Sequence, residues 1–211
     1  MSVVFPLFSI PLYYEKLSVD LSRTIANVKK LEYEEGSWAW ISKNQFIFDN
    51  SYFFEVRECV EQELKKFIYT ELQVSEVLKL THTSSWTCKH LKGNKSQQHL
   101  HSNSMFSGIL YLQCDEKSGG VEFSIPPMIP TYCTSTINIQ NFVKDNNILN
   151  SKTWYKKPEP GDLFLFPSHL LHEVETSESD EERYCIAFNY VLTGEYNVSS
   201  GYLNFKHERF Y

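Results

Sequence analysis

From Leu78 onward the chain breaks into short runs of β-branched and aromatic residues, separated by clusters of Gly, Pro, Asn and Ser. Runs of this kind suit strands with two unlike faces and are too short for buried helices. The expected strands are Lys79–Cys88, Phe106–Gln113, Val121–Ile125, Tyr132–Ile139, Asp162–Phe166, Leu170–Thr176 and Arg183–Leu192. That number of short strands predicts a β-sandwich or jelly roll. The stretch from Pro126 to Trp154 fits the pattern least and reads as a long insertion over the mouth of the barrel, where specificity commonly resides.

The first third differs. Val19, Leu21, Ile25, Val28 and Leu31 follow a candidate Ser18 cap, and Phe53, Val56, Val60, Leu64, Phe67 and Ile68 repeat at helical spacing. Two helices are therefore expected to pack on the sheets, giving a mainly β (α+β) chain. At 211 residues there is enough chain for one substantial core. We read a single domain, 1–211, with a helical part at about 1–77, a jelly-roll core at about 78–195 and a tail at 196–211.

A net charge of −6 argues against a nucleic-acid surface, which relies on clustered Lys and Arg. The nearest basic run, Lys89 to Lys95, reads as a solvated loop. The five cysteines, at 59, 88, 114, 133 and 185, contain no Cys-x-x-Cys pair, which suits a reducing cytoplasm rather than a disulfide framework. The apolar opening, Met1 to Tyr14, is interrupted by Pro6 and Pro11 and lacks the basic start of a secretory signal. The charge-free run Phe123 to Val143 holds three prolines, so no membrane span is expected. The aromatic tail from Tyr196 to Tyr211 suits a homodimer contact or a strand cap.

Three histidines carry the chemistry. In Gln98-His99-Leu100-His101 an H-x-H step on extended chain puts two imidazoles on one face. His172 follows the strand expected at Asp162–Phe166, where a returning strand brings it beside the pair. Three ligands on one face leave positions open for a chelating cosubstrate and O₂, the pattern of non-haem iron oxygenases, whereas a closed zinc site wants a fourth protein ligand. His82, His90, His169 and His207 read as surface or packing residues.

In the last strand, alternation separates bulky Tyr184, Ile186, Phe188 and Tyr190 from Arg183, Cys185, Ala187 and Asn189, whose small middle members leave room for a ligand. A buried guanidinium needs an anionic partner and can grip a carboxylate through two parallel hydrogen bonds. Arg183 lies eleven residues after His172, so a hairpin return sets it near the metal at the reach of a dicarboxylate; otherwise it is a surface arginine paired with Glu181 or Glu182. On the strand Phe106–Gln113, Ser107 and Tyr111 share a face, and Tyr111 has a hydroxyl for the same carboxylate.

Ser85-Trp86, His99-x-His101, Ser107 to Leu112, Pro160-Gly161-Asp162, Phe166-Pro167-Ser168, His172 and Arg183 to Asn189, in this order and spacing, resemble a 2OG-Fe(II) oxygenase family. The resemblance spans about Ser84 to Leu192, and Gly119-Gly120-Val121-Glu122-Phe123 looks like an element of the related prolyl hydroxylases. It implies a double-stranded β-helix and Fe(II) held by His99 and His172. It also implies that 2-oxoglutarate has its far carboxylate on Arg183 with help from Tyr111, and that Asn189 and Ser107 lie on the cosubstrate side. The implied activity, a hydroxylase or other dioxygenase, couples decarboxylation of 2-oxoglutarate to succinate and CO₂ with oxidation of a C–H bond on a protein side chain or small molecule. His101 departs from the wider superfamily, which has Asp or Glu there. Either three histidines bind iron, or Glu173 or Glu122 supplies the third ligand, or the site is degenerate. Two rivals stand beside this reading. One is a cupin-type metal protein, although no glutamate follows His101 within a few residues. The other is a jelly-roll binding protein without catalysis.

Overall fold

A computed structural model describes residues 3–5, 9–125, 144–198 and 201–207. The expected strand Tyr132–Ile139 lies outside them. Twelve strands are formed among the described residues: β1 (Tyr13–Lys16), β2 (Tyr33–Glu35), β3 (Trp40–Ser42), β4 (Lys79–His90), β5 (Ser96–His99), β6 (Phe106–Gln113), β7 (Val121–Ser124), β8 (Thr153–Lys156), β9 (Asp162–Pro167), β10 (Leu171–Val174), β11 (Arg183–Val198) and β12 (Gly201–Phe205). The major sheet runs β1-β9-β6-β11-β4-β3-β2, with β12 paired to the far end of β11, and the minor sheet runs β5-β10-β7-β8. Every described pairing between strands is antiparallel. This is the expected jelly roll.

Alternation along the strands builds two cores on opposite faces of the major sheet. Leu110 and Leu112 of β6, Leu163 and Leu165 of β9, and Ile186, Phe188 and Tyr190 of β11 face the helices and join Val28, Val56, Val60 and Leu64. The other face gives Ile109 and Tyr111, Phe164 and Phe166, and Cys185, which meet Val121 and Phe123 of the minor sheet. The molecule is therefore layered as helices, major sheet and minor sheet, with a cleft between the two sheets.

The second helical repeat holds as read: α2 (Phe54–Lys65), preceded by a 3₁₀ turn and continued by a π-helical segment at Lys66–Glu71, buries Phe53, Val56, Val60, Leu64, Phe67 and Ile68. The wider π turn lets the adjacent Phe67 and Ile68 both reach the core. The first helix, α1 (Ser22–Val28), starts later than expected. Asp20 Oδ1, rather than Ser18, accepts from the Ser22 N–H at 2.9 Å, so the chain turns there. The basic run is also corrected at its start, because Lys89 and His90 still belong to β4. Within the described part of the tail, β12 pairs antiparallel with Gly194–Val198 of β11. No helix among the described residues is long and apolar enough to cross a membrane.

Gly108 sits where β6 passes under the Phe188 ring; a Cβ there would lie 2.3 Å from Phe188 Cε2 and 2.8 Å from Leu165 Cδ2. Gly108→Ala should cost about 1–3 kcal/mol, the usual range for overpacking a tight core, read as a lower urea midpoint with an unchanged slope. An unchanged midpoint would mean that this contact does not limit the core.

Candidate active site

β10 lies between β5 and β7, and its register sets His172 directly opposite His99. β5 ends at His99, so the H-x-H step is not one continuous strand. Leu100 turns outward, 45% exposed, and the His101 N–H is tied to the Ser168 carbonyl at 2.9 Å. The three rings still converge. Centroid separations are 4.2 Å for His99–His172, 5.2 Å for His101–His172 and 5.5 Å for His99–His101, and ligand atoms of the three lie within 4.8 Å of one another.

Each ring is oriented through Nδ1. His99 Nδ1 is 2.7 Å from the Gln97 carbonyl, His172 Nδ1 is 3.0 Å from the Leu170 carbonyl, and His101 Nδ1 is 2.7 Å from Asn189 Oδ1. Carbonyl and amide oxygens only accept, so the ring protons reside on Nδ1 and each Nε2 keeps its lone pair. Burial also favours the neutral form of His172 and His101. His172 is pushed down to about 3, first by desolvation and then by His99 and His101, and His101 is lowered by desolvation against the opposing pull of Asn189. Three imidazoles with Nε2 atoms free of hydrogen-bond partners are a donor set that fits a divalent metal.

Ser107 and Asn189 stand behind His101. The Ser107 hydroxyl donates to Asn189 Oδ1 at 2.8 Å and lies 3.0 Å from His101 Nδ1, while Asn189 Nδ2 donates to Ser84 Oγ at 3.1 Å. Asn189 also borders the cleft in front of the histidines, whereas Ser107, 1% exposed, is set back from it. The carboxylates weighed as substitutes are not in the cluster. On β10 the buried His172 and Val174 alternate with Glu173, which pairs with Glu122 on β7 and borders a separate outer groove.

The cleft has a volume of about 750 Å³ and is walled by alternate residues of β4, β6 and β11. Register orders the wall in rows. Ser84 and Asn189, with Ser107 in register but set back, lie at the histidine end, followed by Trp86, Ala187 and Ile109, then Cys88, Cys185 and Tyr111, with His90 opposite Arg183 at the far end. Trp38 and Trp86 flank the histidine end, their rings 5.0 Å from His99 and 5.8 Å from His101. The alternation read for β11 is thus correct, with small side chains between the two polar ends.

Arg183 is 1% exposed. Its Nη1 donates to the carbonyl of Ser118 at 2.7 Å and lies 3.5 Å from that of Gly119, while its buried Nε has no partner. Gly119 adopts φ +78°, and a Cβ there would meet the Glu175 carbonyl at 2.6 Å, so the turn presenting these carbonyls calls for glycine. No described carboxylate lies within 4.0 Å of the guanidinium. Glu182 instead accepts from the Tyr184 hydroxyl at 2.6 Å and faces Lys89 at 3.9 Å, so the surface pairing weighed for Arg183 does not occur. Tyr111 also borders the cleft, and burial raises its hydroxyl well above the ordinary range, which keeps it a donor.

Residues 84–189, half of the chain, match the model of a family described as "Putative 2OG-Fe(II) oxygenase". The chain belongs to this 2OG-Fe(II) oxygenase family. No curated protein sequence matches it. Solved oxygenases share the fold at low identity. A prolyl-4-hydroxylase from Pseudomonas putida is 16% identical with a TM-score of 0.56, over 89% of this chain and 96% of its own. A prolyl hydroxylase from Trichoplax adhaerens, in complex with a hypoxia inducible factor peptide fragment, is 14% identical with a TM-score of 0.57, over 85% and 83%. HygX from Streptomyces hygroscopicus, with nickel and 2-oxoglutarate bound, is 8% identical with a TM-score of 0.56, over 86% and 83%. The family match decides against a cupin.

Among the histidines set aside in the sequence, His169 is exposed and His82 packs against Phe48 and Tyr190. His90 was missed, because β4 was expected to end at Cys88; continuing the alternation Ser84, Trp86, Cys88 by one step reaches it. Burial and the nearby Arg183 push His90 down to about 2. Both His90 and His172 are neutral when folded and take up a proton when unfolded at ordinary histidine values. The unfolded state therefore binds more protons below about pH 6.5, and stability falls as pH drops from there toward 3. In EDTA, urea unfolding should show a loss of up to roughly 1.4 kcal/mol per pH unit for each of these rings. A flat profile from pH 7 to 5 would contradict their buried, neutral state.

Proposed function

We propose that this oxygenase is an active Fe(II)- and 2-oxoglutarate-dependent hydroxylase in which His99, His101 and His172 hold iron through Nε2. One observation carries the reading. A buried guanidinium with no carboxylate partner among the described residues closes one end of the cleft whose other end is a cluster of three histidines. Breaking a buried ion pair costs ~3–5 kcal/mol because a charge is left uncompensated. A site that keeps Arg183 buried without a protein anion is suited to an anion that arrives as ligand. A 2-oxo dicarboxylate meets both ends.

Iron and 2-oxoglutarate, when bound, supply the oxidising chemistry: O₂ is consumed, 2-oxoglutarate becomes succinate and CO₂, and one oxygen enters a substrate C–H bond. The chain's own work is orientation and exclusion of water. Gln97, Asn189 and Leu170 oxygens aim the three rings, Arg183 and Tyr111 bind the far carboxylate, and Ala187 with Cys185 leaves space between. Trp38, Trp86 and Leu100 border the side from which a substrate approaches. That substrate is a protein side chain or a small molecule. The free thiols of Cys59, Cys88, Cys114 and Cys185 support work in a reducing, cytoplasmic setting.

Protein reconstituted with Fe(II) without oxygen and then exposed to O₂ should form succinate from 2-oxoglutarate, and EDTA should abolish this. Arg183→Ala should lose 2-oxoglutarate affinity while still binding one metal per chain. Unchanged affinity would show that the anchor is misassigned. Asn189→Ala should weaken metal binding roughly 10–100-fold, the range for removing a ligand's hydrogen-bond partner, measured by competition with a chelator. No change would mean that His101 is not a ligand or that it needs no support.

A further inference from the structure

We propose that His90 is a second side chain for the far carboxylate of the cosubstrate, binding it together with Arg183; this rests on the reading of the cleft as a 2-oxoglutarate site. His90 is 2% exposed, borders the cleft and is the direct register partner of Arg183 across β4 and β11. Its Nε2 lies 3.2 Å from Ser96 Oγ, and its Nδ1 is buried without a hydrogen-bond partner.

The Ser96 hydroxyl has no other side-chain partner among the described residues and can donate to Nε2. With the Ser96 hydroxyl as the donor of this pair, the single proton of a neutral ring sits on Nδ1. His90 Nδ1–H and Arg183 Nε–H are then two buried donors, on adjacent strands at one end of one cleft, both without an acceptor. A buried unsatisfied donor costs ~1–3 kcal/mol, so two on one register pair call for a group that only accepts. Tyr111, whose hydroxyl has no hydrogen-bond partner among the described residues and which shares this end of the cleft, is a third donor. A cation there would be repelled by Arg183, and a neutral acceptor would leave the guanidinium charge uncompensated. A carboxylate satisfies the donors and the charge at once. Low basicity of His90, set by burial and by Arg183, keeps the empty pocket from holding two adjacent cations.

The test separates the far carboxylate from the rest of the ligand. Nickel-loaded protein, without turnover, is titrated calorimetrically with 2-oxoglutarate and with 2-oxopentanoate, the same chain lacking the far carboxylate. His90→Phe should weaken 2-oxoglutarate roughly ten- to hundredfold, the worth of a hydrogen bond to a charged group, and leave 2-oxopentanoate within about twofold. His90→Asn, smaller and still polar, should show the same selectivity with a smaller loss, and it decides the matter if the Phe variant fails to fold. Equal loss for both acids, or no loss for either, overturns the role of His90 while leaving Arg183 as anchor. Failure of the unsubstituted protein to bind 2-oxoglutarate overturns this inference and the proposed function together.

Discussion

The antiparallel register that seats β11 between β4 and β6 is the constraint on which the site depends. It fixes which residues of three strands share the inner face, and a slip of one position would turn Arg183, Cys185, Ala187 and Asn189 toward the helices and bring Tyr184, Ile186, Phe188 and Tyr190 into the cleft. The helical core makes such a slip costly, because Phe188 fills the space that Gly108 leaves and Tyr190 donates to Glu61 Oε1 at 3.0 Å. Packing on one side of the sheet thus holds the chemistry on the other in place.

Electrostatics divides the cleft into a neutral end and a cationic end. Desolvation lowers the pKa of His101 and His172, so their lone pairs are available with little competition from protons. A third imidazole in place of a carboxylate would leave a bound divalent metal one charge more positive; the 1-carboxylate of 2-oxoglutarate would offset one unit of charge there, while its far carboxylate would pair with Arg183. The backing shell of Asn189, Ser107, Ser168 and Ser84 around His101 is polar but uncharged, so it orients the ring without restoring the missing negative charge.

Much of this was legible in the sequence where alternation is strong. The two faces of β11, the helical stripe from Phe53 to Ile68 and the grouping of His99, His101 and His172 all follow from spacing and side-chain type. Other parts were not legible, for physical reasons. β5 reads Ser-Gln-Gln-His, with no apolar alternation, and it becomes a strand because β10 offers it hydrogen bonds. β4 continues past Cys88 into residues that look like a loop, since Lys89 lays its ammonium over Tyr33 and Trp40 at 5.0 and 5.1 Å while His90 turns inward. That concealed His90. Ser107 could be placed on the inner face, but its position behind His101 depends on the turn after β5, which has no signature in the sequence.

The central claim is that one cleft holds a metal on three histidines and a dicarboxylate that reaches from it to Arg183. Adding 2-oxoglutarate to the Fe(II) protein in the absence of oxygen tests it most directly, because chelation of iron by a 2-oxo acid produces a visible charge-transfer absorption. The account predicts that this band appears and saturates at one 2-oxoglutarate per chain. Absence of the band, in protein shown to contain one Fe(II) per chain, would contradict it.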